Sequence, residues 1–128
     1  MATEKDGISV VVGLFSGRPN PEVTLTGKTA DDLIDHAKKG IGKEPANPPP
    51  APRLGEFYGF YIKVPAERAK ASDLPTQFSV YKGVVTEQVG RENKYWRDVG
   101  NIEQFLVQRA YDQGHGDLLK LVGLERST

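Results

Sequence analysis

A chain of 128 residues without cysteine is long enough for one domain with its own core, and it excludes a disulfide framework, thiol catalysis and thiolate metal sites. Lysine plus arginine equals aspartate plus glutamate at 17 each, so no global field draws it toward nucleic acid or anionic lipid. The charged start, residues 1–6, does not show the cationic region followed by an apolar core of a secretion signal, and no apolar run approaches the ~20 residues of a membrane span. The expectation is a cytoplasmic protein with no membrane contact.

Residues 8–15, rich in β-branched side chains and bounded by turn formers, read as a central strand covered on at least one face. The strand ends in a rigid loop. Pro19 and Pro21 each remove a backbone donor and fix φ, Asn20 tolerates the left-handed region and bonds its own backbone, and Gly17 supplies freedom just before them. Arg18, Asn20 and Glu22 thus lie within five residues on a loop that is either a binding site or an ordered turn. Residues 22–25 either extend the sheet or lead into a helix. That helix is expected over residues 30–39, with Thr29 as N-cap, Asp31 and Asp32 in the first turn, and Ala30, Leu33, Ile34 and Ala37 as the apolar face. Lys38, Lys39 and Gly40 suit its C-terminus.

Residues 40–53 carry Pro45, Pro48, Pro49, Pro50 and Pro52. They are expected to be neither helix nor ladder-paired strand but polyproline II or extended coil. The segment is read as a crossover loop, with a ligand for a proline-binding domain as the alternative. Residues 54–64 alternate as a strand, with Tyr58, Phe60, Ile62 and Val64 toward the core and Phe57, Gly59, Tyr61 and Lys63 away from it. Pro65 ends it, and residues 66–75 read as a loop or a short helical turn. Residues 77–81 and 83–89 read as two short strands with Lys82-Gly83 as a tight hairpin turn, or as one strand bulged there.

Residues 90–100 are expected to be a charged aromatic connection. Asn101 with Gln104 forms a capping-box pattern opening a helix whose buried stripe is Ile102, Phe105, Leu106 and Ala110, closed by Gly114. Leu118, Leu119, Leu121, Val122 and Leu124 pack back as an apolar tail. Residues 1–6 and 125–128 read as flexible ends. The expected fold is α+β: a single domain, residues 1–128, with a three- to five-stranded, mainly antiparallel sheet packed by two main helices. The order is β-(β)-α-loop-β-β(-β)-α.

Catalytic patterns are sparse. His36 and His115 are far apart, and neither has metal-ligand spacing. No cofactor motif is present; Gly27-Lys28-Thr29 lacks the earlier glycine of a phosphate loop and reads as an ordinary helix start. Asp112 and Asp117 flank His115, which leaves a small acid–base enzyme as the alternative reading. The richer cluster is Arg91, Tyr95, Trp96 and Arg97, with Asn93 and Lys94 between them. An exposed tryptophan stacks on the apolar face of a sugar while cations and amides hydrogen-bond its hydroxyls; a buried one packs into the core. The candidate ligand-binding residues are therefore Arg18, Asn20, Glu22, Arg91, Tyr95, Trp96 and Arg97.

The string Ser16-Gly17-Arg18-Pro19-Asn20-Pro21, the strand Leu54-Gly55-x-x-Tyr58-Gly59-Phe60 and the helix end Gly114-His115 resemble a family of small fungal and bacterial proteins of unknown function. The layout is also similar to the Y3-type fungal glycan-binding proteins. That resemblance implies an α/β sandwich and a non-enzymatic recognition role, and it assigns no binding residue. The lack of cysteine and of a secretion signal departs from a secreted lectin. The expected function is a recognition module for a glycan or protein ligand, acting through residues 18–21 and the Tyr95-Trp96 segment. A homo-oligomerising structural role, beginning with a homodimer, is a further alternative. Nucleic acid is disfavoured, and no metal or cofactor is called for.

Overall fold

The structure, a computed structural model, describes residues 7–14, 20–51 and 57–124. The expectations for Arg18 and for both chain ends lie outside the described residues.

Six strands form one sheet: β1 (Ile8–Gly13), β2 (Glu22–Leu25), β3 (Gly59–Lys63), β4 (Gln77–Tyr81), β5 (Val84–Val89) and β6 (Glu92–Arg97). Their order is β2-β1-β3-β4-β5-β6, and every neighbouring pair is antiparallel. Four helices accompany them: α1 (Gly27–Gly40), α2 (Ala66–Ser72), α3 (Ile102–Asp112) and α4 (Gly116–Leu121). The fold is thus α+β with an antiparallel sheet, as expected, but it has more strands and helices than the sequence indicated.

The additional strand is β6, expected as a connection. Val89 pairs with Glu92 across the two-residue turn Gly90-Arg91. Gly90 has φ +64°, which suits the first central position of a tight hairpin. The preceding hairpin turn at Lys82-Gly83 forms as expected, with φ of 47° and 77°. Both of its backbone N–H groups donate to the Glu103 carboxylate of α3, at 3.1 and 2.9 Å.

Register sorts the side chains. Val10 lies between Val23 and Ile62, Phe60 between Val12 and Val80, and Val80 beside Val85. All are buried, and they join Leu33, Ala37, Ile102, Leu106 and Leu119 of the helices in one hydrophobic cluster. One sheet face therefore carries the core. Full burial of Phe60 alone removes enough apolar surface to contribute on the order of 1.5–3 kcal/mol.

Three local expectations are corrected. First, α1 begins at Gly27 with Thr26 at its N-cap, and Thr29 donates its hydroxyl to the Thr26 carbonyl at 2.8 Å instead of capping. Asp31 and Asp32 consequently fall beyond the first turn. Second, Asn101 is left-handed with no side-chain cap, so the box with Gln104 does not form. The Asp98 carboxylate caps α3, accepting from Ile102 N at 2.7 Å and Glu103 N at 2.8 Å. Third, the alternation of residues 57–64 breaks at Gly59, whose φ of +127° is one that L-residues avoid. Phe57 is buried against Phe60 and Tyr81, and Tyr58 is only half-buried.

The proline-rich segment also departs from expectation, because its first part is laddered. Pro45 bridges Trp96, with Arg97 N donating to Glu44 O at 2.7 Å and Ala46 N to Tyr95 O at 2.9 Å. The flanking residues make both bonds, so the missing N–H of Pro45 costs the ladder nothing.

Candidate functional site: the open face of the sheet

Residues alternating with the core set point away from the helices. Two rows cross the sheet. Ser9 lies opposite Thr24 and Lys63, Lys63 opposite Gln77, and Gln88 opposite Asn93. Beside this row, Val11 lies opposite Glu22 and Tyr61, Tyr61 opposite Ser79, Ser79 opposite Thr86, and Thr86 opposite Tyr95. Ile62 and Phe78 of the core phase, together with the open-face side chains of Ser9, Val11, Tyr61, Lys63, Gln77, Ser79, Thr86, Gln88 and Asn93, line a shallow concavity of about 510 Å³ in the middle of these rows.

Apart from Val11, Tyr61 and Lys63, these open-face side chains are neutral amides and hydroxyls, each able to donate and accept. Tyr61 supplies a flat ring that is 44% exposed. That ring lies 5.9 Å from the ring of Tyr58, and its hydroxyl donates to the Tyr58 carbonyl at 3.3 Å. Partial burial, and secondarily the neighbouring Tyr58, push the Tyr61 phenol above its usual range, because both disfavour the phenolate. Lys63 is exposed and forms no ion pair among the described residues. Ser9 donates its hydroxyl to Glu22 Oε1 at 2.7 Å, which fixes the β1–β2 side of the trough.

The candidate residues from sequence are dispersed. Asn20 is a structural clamp: its Oδ1 accepts from Leu14 N at 2.9 Å and its Nδ2 donates to the Tyr58 hydroxyl at 2.7 Å. The Tyr58 ring in turn lies over Gly13, where an added Cβ would sit 2.6 Å from ring atoms. Glu22 stands at the β2 edge of the open face, and Tyr95 at the β6 edge, half-buried opposite Thr86. Arg91 is exposed in the β5–β6 turn. Arg97 pairs with Glu44 at 3.0 Å.

Trp96 lies opposite Val85, on the helix-covered face, and donates Nε1–H to Glu87 Oε1 at 3.0 Å. The Tyr95-Trp96 segment belongs to β6, whereas Asn20 and Pro21 lead into β2. β2 and β6 are opposite edges of the sheet, five strand spacings and roughly 24 Å apart.

The histidines stand elsewhere. His36 Nδ1 bonds the Gly100 carbonyl, and its ring lies 4.7 Å from that of Phe105. His115 is the N-cap of α4 and has no carboxylate partner among the described residues; Asp112 pairs with Arg109 at 2.9 Å. No group of three or more His, Asp or Glu side chains suited to a metal occurs among the described residues. None of their helices is long and apolar enough to cross a membrane.

Sequence reasoning missed Gln77, Ser79, Thr86 and Gln88 as site residues. The signal was their polar phase within β4 and β5, opposite the apolar phase of Phe78, Val80 and Val85. Comparison of the chain with family models, curated proteins and solved structures finds no match in any of the three.

Proposed function

We propose that this protein is a non-enzymatic recognition module that holds a glycan on the open face of its sheet. The observation that carries this reading is the trough itself. It has a half-exposed tyrosine ring beside rows of hydroxyls and amides, on the sheet face opposite the core that the described helices close. A pyranose offers an apolar face of C–H groups and a rim of hydroxyls that both donate and accept. Tyr61 suits the first, and Ser79, Thr86, Gln88 and Asn93 suit the second. The rigid strands hold these groups in place before binding, which limits the ordering cost. The resemblance to fungal glycan-binding proteins points the same way.

The reading moves the site from the Arg18 loop and Trp96 to the centre of the sheet, with Glu22 and Tyr95 at its two edges. A glycan array probed with the whole chain tests it. Binding to a subset of glycans is expected, reduced about tenfold or more in Tyr61→Ala and in Gln88→Ala, with the far-UV circular dichroism of both variants unchanged. A flat array, or binding indifferent to both substitutions, rejects it.

A further inference from the structure

Residues 44–51 show a periodicity of their own. Ala46 and Pro49 are half-buried, whereas Glu44, Pro45, Asn47, Pro48, Pro50 and Ala51 are exposed. A repeat of three is that of a polyproline II helix lying on the protein along one of its edges. Covalent chemistry imposes the same conformation. Pro48, Pro49 and Pro50 have φ fixed near −65°, and Asn47, Pro48, Pro49 and Ala51 each precede a proline and are driven to extended ψ. Among the described residues no backbone–backbone hydrogen bond engages residues 47–51, as this helix requires.

We propose that this strap is a ligand, presented to a partner domain whose groove is lined by aromatic side chains and reads polyproline II. Pro45 and Pro48, three residues apart and both exposed, place two pyrrolidine rings on one outward edge, the spacing such grooves recognise. Among the described residues the strap is anchored at its start, where the Glu44 and Ala46 bonds to β6 pin it. A cleft of about 620 Å³ opens between residues 44–50 of the strap and Lys82, Gly83, Val84 and Arg97. A proline helix loses little conformational freedom on binding because it has little to lose. The strap leaves from the outer edge of β6 and is independent of the trough between β1 and β6.

The test immobilises isolated SH3, WW and EVH1 domains and titrates each with the whole chain and with Pro45→Ala/Pro48→Ala. At least one domain class is expected to bind, and the double variant to bind it about tenfold more weakly or worse. Neither proline donates a hydrogen bond, so the ladder to β6 and the thermal unfolding curve are expected to persist in the variant. If the variant nonetheless unfolds, competition by a synthetic peptide of residues 43–51 replaces it, and displacement of the bound chain is the expected result. Absence of binding to all three classes overturns the proposal. So does binding that survives the double substitution or that the peptide fails to displace.

Discussion

Val85 and Thr86 are neighbours in β5, yet they belong to different environments. Val85 is fully buried beside Trp96 and joins the core that the helices close; Thr86 lines the open trough between Ser79 and Tyr95. The same division runs along β3 and β4, where Phe60, Ile62, Phe78 and Val80 face the helices and Tyr61, Lys63, Gln77 and Ser79 face away. Strand geometry thus separates the packed core from the open polar trough with a period of two residues. On the covered face the side chains of β1, β3 and β4 pack among apolar partners. Its open counterpart holds side chains with unused hydrogen-bonding capacity.

The largest expected effect lies on the covered face. Phe60→Ala leaves a cavity where the ring packed edge-on against Phe57, and it is expected to cost about 3–5 kcal/mol in urea unfolding. A loss below ~1 kcal/mol would break the division between the two faces. Gly100→Ala comes next, at about 1–3 kcal/mol. An added Cβ there would collide with the His36 carbonyl oxygen, forcing α1 away from the start of α3. Unchanged unfolding of this variant would show that the two helices do not need that close approach. Asp98→Ala removes both cap bonds of α3 and is expected to cost roughly 1 kcal/mol; an equal loss in Asn101→Gly, which removes the side chain while tolerating the left-handed backbone, would return the cap to the residue expected from sequence.

Sequence legibility follows the same division. The apolar face of α1 and the strand character of residues 8–13 were readable because each has one buried face with a clear period. β6 was not, because both of its phases are polar or amphipathic: Asn93, Tyr95 and Arg97 on one, Lys94 and Trp96 on the other. Only Gly90 marked its turn. The phase change between Phe57 and Tyr58 depends on the φ of Gly59, which composition does not specify. The Asp98 cap reaches α3 from outside the usual cap position, so the local box pattern misled. As for the site, Tyr61 and Lys63 were legible as outward-facing. Their meeting with Ser79, Thr86 and Gln88 depends on strand order and register, which link segments far apart in the chain.

On the open face, Ser79→Ala and Gln88→Ala are expected to change unfolding free energy by no more than ~0.5 kcal/mol. A loss comparable to that of Asp98→Ala would mean that the trough is part of the structural framework.

The smallest expected effect concerns Tyr61 and sharpens how dry the trough is. Its phenol is raised above the usual 10.0, chiefly by burial and next by Tyr58. A raised pKa means that the folded state holds the proton more tightly than the unfolded chain does. The associated stability is therefore complete below the ordinary phenol value and is lost as pH climbs through the higher folded value. Ultraviolet titration of the folded protein should show one tyrosine ionising later than an exposed phenol, and that late step should vanish in Tyr61→Phe. In Tyr58→Phe the step should move only part of the way back, since burial is the larger cause. An unshifted Tyr61 would make the ring as wet as a free side chain, removing the desolvated surface on which a sugar face is proposed to stack.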